Sequence, residues 1–154
     1  LETDNTWLGD NTFDEGIFDT GTSVPQGDWQ AQPYDAGEYT GAGTMTWTVS
    51  AGQAAVNRWM RIRHTLFWNV SVVAGVVGGT PTGQLRVTIP NGWTGHIYQD
   101  CPISFILDAG VAVQGFAYIP TAGDSFIAIE RLDGAAFTAG NVSMDFNVVL
   151  EIDL

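Results

Sequence analysis

The residues able to do chemistry are few: two histidines, His64 and His96, one cysteine, Cys101, and seventeen carboxylates against five arginines. A hydrolytic triad needs a serine, a histidine and an orienting acid. The chain has no Gly-x-Ser-x-Gly turn. No second histidine, cysteine or carboxylate stands at a spacing from His64 that argues for a metal site or a catalytic pair. Carboxylate pairs for glycoside hydrolysis are available in number, but most acids fall in loops or on wet strand faces, where solvation accounts for them. No phosphate loop or dinucleotide fingerprint occurs. These readings predict no enzyme and no cofactor. Asp10, Asp14, Glu15 and Asp19 supply hard oxygen ligands within ten residues, the chemistry calcium prefers. Their spacing is not that of an EF-hand loop, and a solvated acidic strand and turn is the plainer account, so no metal is expected.

Surface aromatics offer more. In "PNGWTGHIYQD", Pro90 ends a strand, and Asn91-Gly92 forces a turn that would carry Trp93 to the rim of the domain. An exposed indole stacks on the apolar face of a pyranose while polar neighbours bond its hydroxyls. Asn91, Trp93, His96 and Tyr98 therefore form the candidate glycan loop. The opposing account folds Trp93 back onto the domain edge or into a subunit contact.

Charge narrows the partners. The net charge is −12 and there is no lysine, so phosphate backbones and anionic membrane surfaces are repelled and nucleic acid is excluded. The longest apolar runs are strand-length, too short for a membrane-spanning helix. Cys101 cannot form an intramolecular disulfide and reads as a small hydrophobe in a packed region. The chain begins at Leu1 without methionine and is expected to be a piece of a longer protein.

The elements that must position these residues follow from period-two patterning. Residues 1–42 hold nine acids and no base, with large, sparse apolar residues that include Trp7, Phe13 and Phe18. They are expected to lie extended, either on their own domain or on a neighbouring subunit. From residue 43 to 154 alternation is regular. Met45, Trp47 and Val49 face away from Thr44, Thr46 and Thr48; Leu85, Val87 and Ile89 from Gln84, Arg86 and Thr88; Met144, Phe146, Val148, Leu150 and Ile152 from Asp145, Asn147 and Glu151. "CPISFILDAGVAVQGFAYIP" gives two strands about a turn at Asp108-Ala109-Gly110. "WMRIRHTLFWNVSVV" reads as one long strand, or one that bends midway. Its apolar face would carry Met60, Ile62, His64, Leu66, Trp68, Val70 and Val72, and its wetter face Arg61 and Arg63. His64 is then a core histidine. Six to eight antiparallel strands with one apolar face each must pair face to face, giving an all-β sandwich of jelly-roll type.

"NRWMRIRHTLFWNVSVV", a Gly-rich gap and "GQLRVTIP" resemble the carboxy-terminal β-sandwich domains of tailed-phage tail fibres, tail spikes and related virion surface proteins. Arg58, Trp59, Arg61 and Ile62 match the first element; Gly83, Leu85, Arg86, Val87 and Pro90 match the second. "RIRH" departs from the Gly-Asn or Gly-Asp turn that usually follows the isoleucine there. The resemblance covers about residues 40–150. It implies a homotrimer on the virion surface, outside the cell, that binds a host receptor or glycan. Trp7, Phe13, Phe18, Arg61 and Arg63 are then candidates for the subunit interface. Two other classes stay open: a capsid decoration protein with no receptor, whose partner is a capsid or tail protein, and a carbohydrate-binding module of a secreted enzyme.

Overall fold

The computed structural model describes residues 17–18 and 25–154. Trp7, Phe13, Asp10, Asp14, Glu15 and Asp19 lie outside them. Of Phe18 the backbone alone is described, paired with Pro25. The fold is all-β and antiparallel. Its strands are β1 (Ile17–Phe18), β2 (Pro25–Gln26), β3 (Gln30–Ala31), β4 (Tyr39–Gly41), β5 (Met45–Thr48), β6 (Ala54–Ile62), β7 (Thr65–Gly79), β8 (Gln84–Thr88), β9 (Thr94–Gly95), β10 (Gln99–Asp108), β11 (Val111–Ile119), β12 (Phe126–Arg131) and β13 (Gly140–Asp153). Seven of them are five residues or longer. The described residues contain no α-helix, only 3-10 turns at Ala36–Glu38 and Pro90–Gly92.

One sheet runs in the order β3-β6-β7-β13-β10-β11-β12-β8-β4. Within it β10, β11 and β12 pair consecutively and β13 returns beside β10, which is a Greek key. β4 ends this path by pairing with β8. The chain then turns through residues 42–44 into β5, which pairs with the far half of β7. Consecutive strands therefore carry the chain from one end of the sheet back to its middle, and the sheet bends round a single core. Leu66, Trp68, Val70 and Val72 of β7 meet Val142 to Ile152 of β13, and all join one cluster with Leu85, Val87, Ile127 and Ile129. Each such side chain, fully buried, contributes about 1.5–3 kcal/mol relative to exposure.

The alternation in β5, β8 and β13 is the one the sequence predicts, and β10 and β11 form the two strands expected about the Asp108-Ala109-Gly110 turn. The stretch from Trp59 to Val73 differs. It is a hairpin whose turn is Arg63-His64, with Ile62 opposite Thr65 and Arg63 in the left-handed region at φ 55°. Directly opposed residues share a face, so a two-residue turn inverts parity: odd residues of β6 lie with even residues of β7. Trp59 and Arg61 thus sit on the core side beside Trp68 and Leu66, while Met60 and Ile62 point outward. Arg61 is 0% exposed and not on a wet face. His64, expected in the core, is exposed on the turn, with Nδ1 3.1 Å from the Ile152 carbonyl oxygen.

Of the residues before 43, Gln30–Ala31 and Tyr39–Gly41 join this sheet. β3 pairs Gln30 with Trp59, Gln32 N donates to the Asn57 carbonyl at 2.8 Å, and β4 supplies buried Tyr39. Glu38 holds Gln32 and Asn57, and Asn57 in turn accepts from Trp68 Nε1 at 2.8 Å. Burial, the larger effect, raises the Glu38 carboxyl above its usual range even though the Gln32 bond opposes it.

A second polar tie fixes the other end. Asp108, buried at the foot of β10, receives Arg131 Nη1 at 2.7 Å and Thr138 N at 3.0 Å. The β10–β11 turn is thereby fastened to the β12–β13 connection. Close packing also reaches glycine: a Cβ on Gly115 would overlap Ile106 Cδ1 and lie 2.6 Å from the Glu130 carbonyl oxygen. Gly115→Ala is expected to lower stability by about 1–3 kcal/mol, the cost of overpacking a filled core, measured by urea unfolding.

Candidate functional site

The loop selected from sequence divides when folded. Asn91 adopts φ 57° and Gly92 φ 72°, as an Asn-Gly turn requires. Trp93 does not reach the rim. It is 6% exposed and packs edge-on against Trp59 at 5.1 Å. The Arg61 guanidinium lies 5.4 Å from the Trp93 ring centroid. Residues 93–95 are pinned: Gly95 N donates to the Asp124 carbonyl at 2.8 Å, and β9 pairs with the end of β13. Hydrophobic burial against Trp59 outweighs the pull of the turn, so Trp93 is a core residue.

Asn91, His96 and Tyr98 remain at the surface. His96 Nδ1 bonds Asp153 Oδ1 at 2.8 Å. That hydrogen bond first, and the carboxylate charge second, hold the imidazole above the usual histidine range. Of the interface candidates, Arg61 is internal. Arg63 is exposed on the hairpin turn, and its carbonyl accepts from Arg61 Nη1 at 2.9 Å.

Tyr98 belongs to a different group, on the outward face of the β10–β11–β12–β8 sheet. Its ring centroid is 6.0 Å from that of Tyr118, which is 5.3 Å from that of Phe116. Tyr98 is 58% exposed, and its hydroxyl donates to Asp100 Oδ1 at 2.8 Å. Strand register brings polar groups beside the rings. Asp100 opposes Tyr118, Phe116 opposes Glu130, and Glu130 opposes Gln84. Tyr118 donates to Glu130 Oε1, Gln84 Nε2 donates to the Tyr118 hydroxyl at 3.0 Å, and Arg86 Nε donates to Gln84 Oε1 at 2.7 Å. Arg86 also stacks over Phe126 at 4.5 Å. Burial, reinforced by the Glu130 bond, pushes the Tyr118 phenol up to about 12, so it remains a neutral donor.

Phe116, Tyr118, Gln84, Arg86 and Glu130 were not picked out by sequence reasoning. The signal was there: they occupy the polar side of the alternation in "GQLRVTIP", "GFAYIP" and "FIAIER". A lone aromatic on a polar face looks ordinary until register sets it beside another.

Among the described residues no group of three or more His, Cys, Asp or Glu side chains is placed to hold a metal, and no helix is long and apolar enough to cross a membrane. Cys101 is buried and free, its thiol pushed up chiefly by burial. No protein-family model, curated protein or solved structure matches the chain.

Two substitutions separate core from surface. Trp93→Ala is expected to cost about 3–5 kcal/mol, the range for truncating a buried tryptophan. His64→Gln, at an exposed position, is expected to stay within about 0.5 kcal/mol of the parent. Chemical denaturation measures both.

Proposed function

We propose that the chain is a surface domain of a tailed-phage virion protein, self-associating as a homotrimer of a fibre or spike and binding a host-surface receptor or glycan. The family resemblance and the all-β Greek-key fold support the reading. The single observation that carries it is an apolar stripe on the outward face of β6, β7 and β13. Met60 opposes Phe67 and Phe67 opposes Val149, with Ile62 alongside and Trp29 at the β3 edge. Trp29, Ile62 and Val149 are all exposed. Contiguous apolar surface of this kind marks interaction sites.

A second copy suits this stripe because charge is divided across it. Arg58, stacked 5.0 Å over Trp29, lies on the β6 side, and Asp145 and Glu151 line the β13 side. Head-to-tail contact about a closed rotation axis sets the basic side of one copy on the acidic side of the next. The reading assigns no catalysis to the domain. A carbohydrate-binding module shares the glycan part of the reading but needs no self-association.

Light scattering at micromolar concentration is expected to give the mass of three chains. Val149→Lys, which puts a charge into the stripe at an exposed position, is expected to yield a folded monomer with unchanged circular dichroism. A monomeric parent protein would set the virion reading aside in favour of the module.

A further inference from the structure

We infer that the outward face of β10, β11, β12 and β8 is a binding platform for an uncharged oligosaccharide, with Tyr98, Tyr118 and Phe116 as its stacking surface. This rests on the receptor-binding reading and gives it a site and a ligand class.

The argument begins with the rings. Three aromatic side chains follow one another at centroid spacings of 6.0 and 5.3 Å, and the Phe116 and Tyr118 planes differ by only 31°. Successive rings at that spacing match the scale on which successive pyranoses present their apolar faces. A protein gains little stability by leaving a tyrosine 58% exposed beside another ring, whereas a sugar gains a stacking partner.

The polar groups are the second observation. They are tied to one another before any ligand arrives, so little side-chain entropy remains to be lost on binding. Among the described residues those bonds occupy Glu130 Oε1, Asp100 Oδ1 and Arg86 Nε. Glu130 Oε2, Asp100 Oδ2 and the two Arg86 Nη atoms make no hydrogen bond there. Asp100 and Glu130 thus set acceptors beside the Tyr98 and Tyr118 rings, and Arg86, linked to Tyr118 through Gln84, adds a donor fork on the same face, which is what a polyhydroxylated ligand with both donors and acceptors can use.

Charge sets the class. Two carboxylates flank the rings and one guanidinium lies beyond Gln84, on a chain of net charge −12. Sialic and uronic acids would be repelled, and no cluster of cations is present to hold a phosphate or sulfate.

The test titrates the intact protein with cellohexaose, maltohexaose and chitohexaose, and with hexagalacturonate as the acidic comparison, following binding by calorimetry. At least one neutral hexamer is expected to bind and hexagalacturonate is not. Tyr98→Ala, at an exposed position that leaves the fold intact, is expected to weaken binding several-fold, the worth of one stacking ring. Glu130→Gln keeps the side-chain shape and is expected to weaken it also.

Absence of binding by all three neutral hexamers overturns the proposal, as does equal binding of hexagalacturonate. So does a neutral hexamer whose affinity is untouched by Tyr98→Ala and Glu130→Gln but lost in His96→Ala, which would place the ligand on the 91–96 loop. Light scattering on the same samples keeps the two readings apart. A trimer that binds no sugar refutes the platform alone, and a monomer that binds through Tyr98 refutes the virion assembly alone.

Discussion

Every long strand among the described residues turns one mostly apolar face inward, and all those faces share a single core. That constraint bends the sheet. A flat path from β3 to β4 would leave its two ends far apart and half of the apolar faces in water. Passage of the chain from β4 to β5, which returns it from the β8 end to β7, prevents this. The return is tight. Gly79, at φ 68°, sits where any Cβ would strike the Thr44 carbonyl oxygen, so glycine is required at the point where β5 lies on β7. Buried Tyr39 and Trp47, edge-on at 5.5 Å, fill the corner between the two short strands.

The hairpin at Arg63-His64 has consequences far from its turn. Its parity inversion sends Trp59 and Arg61 inward, and these two side chains take in Trp93 from the Pro90–Gly92 turn. One local choice therefore decides two functional questions. It removes the indole from the surface where a sugar would meet it, and it exposes Met60 and Ile62, which extend the stripe across β7 and β13. An arginine in the core is costly unless its charge is engaged. Here the guanidinium faces the Trp93 ring and bonds the Arg63 carbonyl, so the same side chain braces the turn that created its position.

Legibility in the sequence followed the physics of each element. Where a strand runs unbroken, period two names its faces correctly, as it does from Met144 to Ile152 and from Leu85 to Ile89. The Asp108-Ala109-Gly110 turn was legible because Asp and Gly, both turn formers, stand between two apolar runs, and in the fold Ala109 and Gly110 take positive φ there. The Arg63-His64 turn was not. Neither residue is a turn former, and period two continues across it without a break, with the faces exchanged. An alternation count cannot see an exchange of faces between two runs that touch. The inward turn of Trp93 was hidden for a related reason: Asn91-Gly92 fixes a turn, but which way the next side chain points depends on what space the core leaves. Pairing register, which no local pattern encodes, brought Tyr98, Tyr118, Phe116 and Glu130 together.

The two outward faces show how one alternating pattern yields unlike surfaces. Across β6, β7 and β13 the outward positions opposite one another are Met60, Phe67 and Val149, so register lines apolar with apolar and makes a stripe suited to another protein surface. Across β11, β12 and β8 the opposed outward positions are Phe116, Glu130 and Gln84, so register interleaves rings with hydrogen-bonding groups. Such a surface is poorly suited to close protein packing, because each buried carboxylate or amide would need its own partner. It suits a ligand that brings both an apolar face and hydroxyls. Assembly and ligand recognition would then occupy different outward faces of the sheet, each chosen by the residues that strand pairing sets side by side.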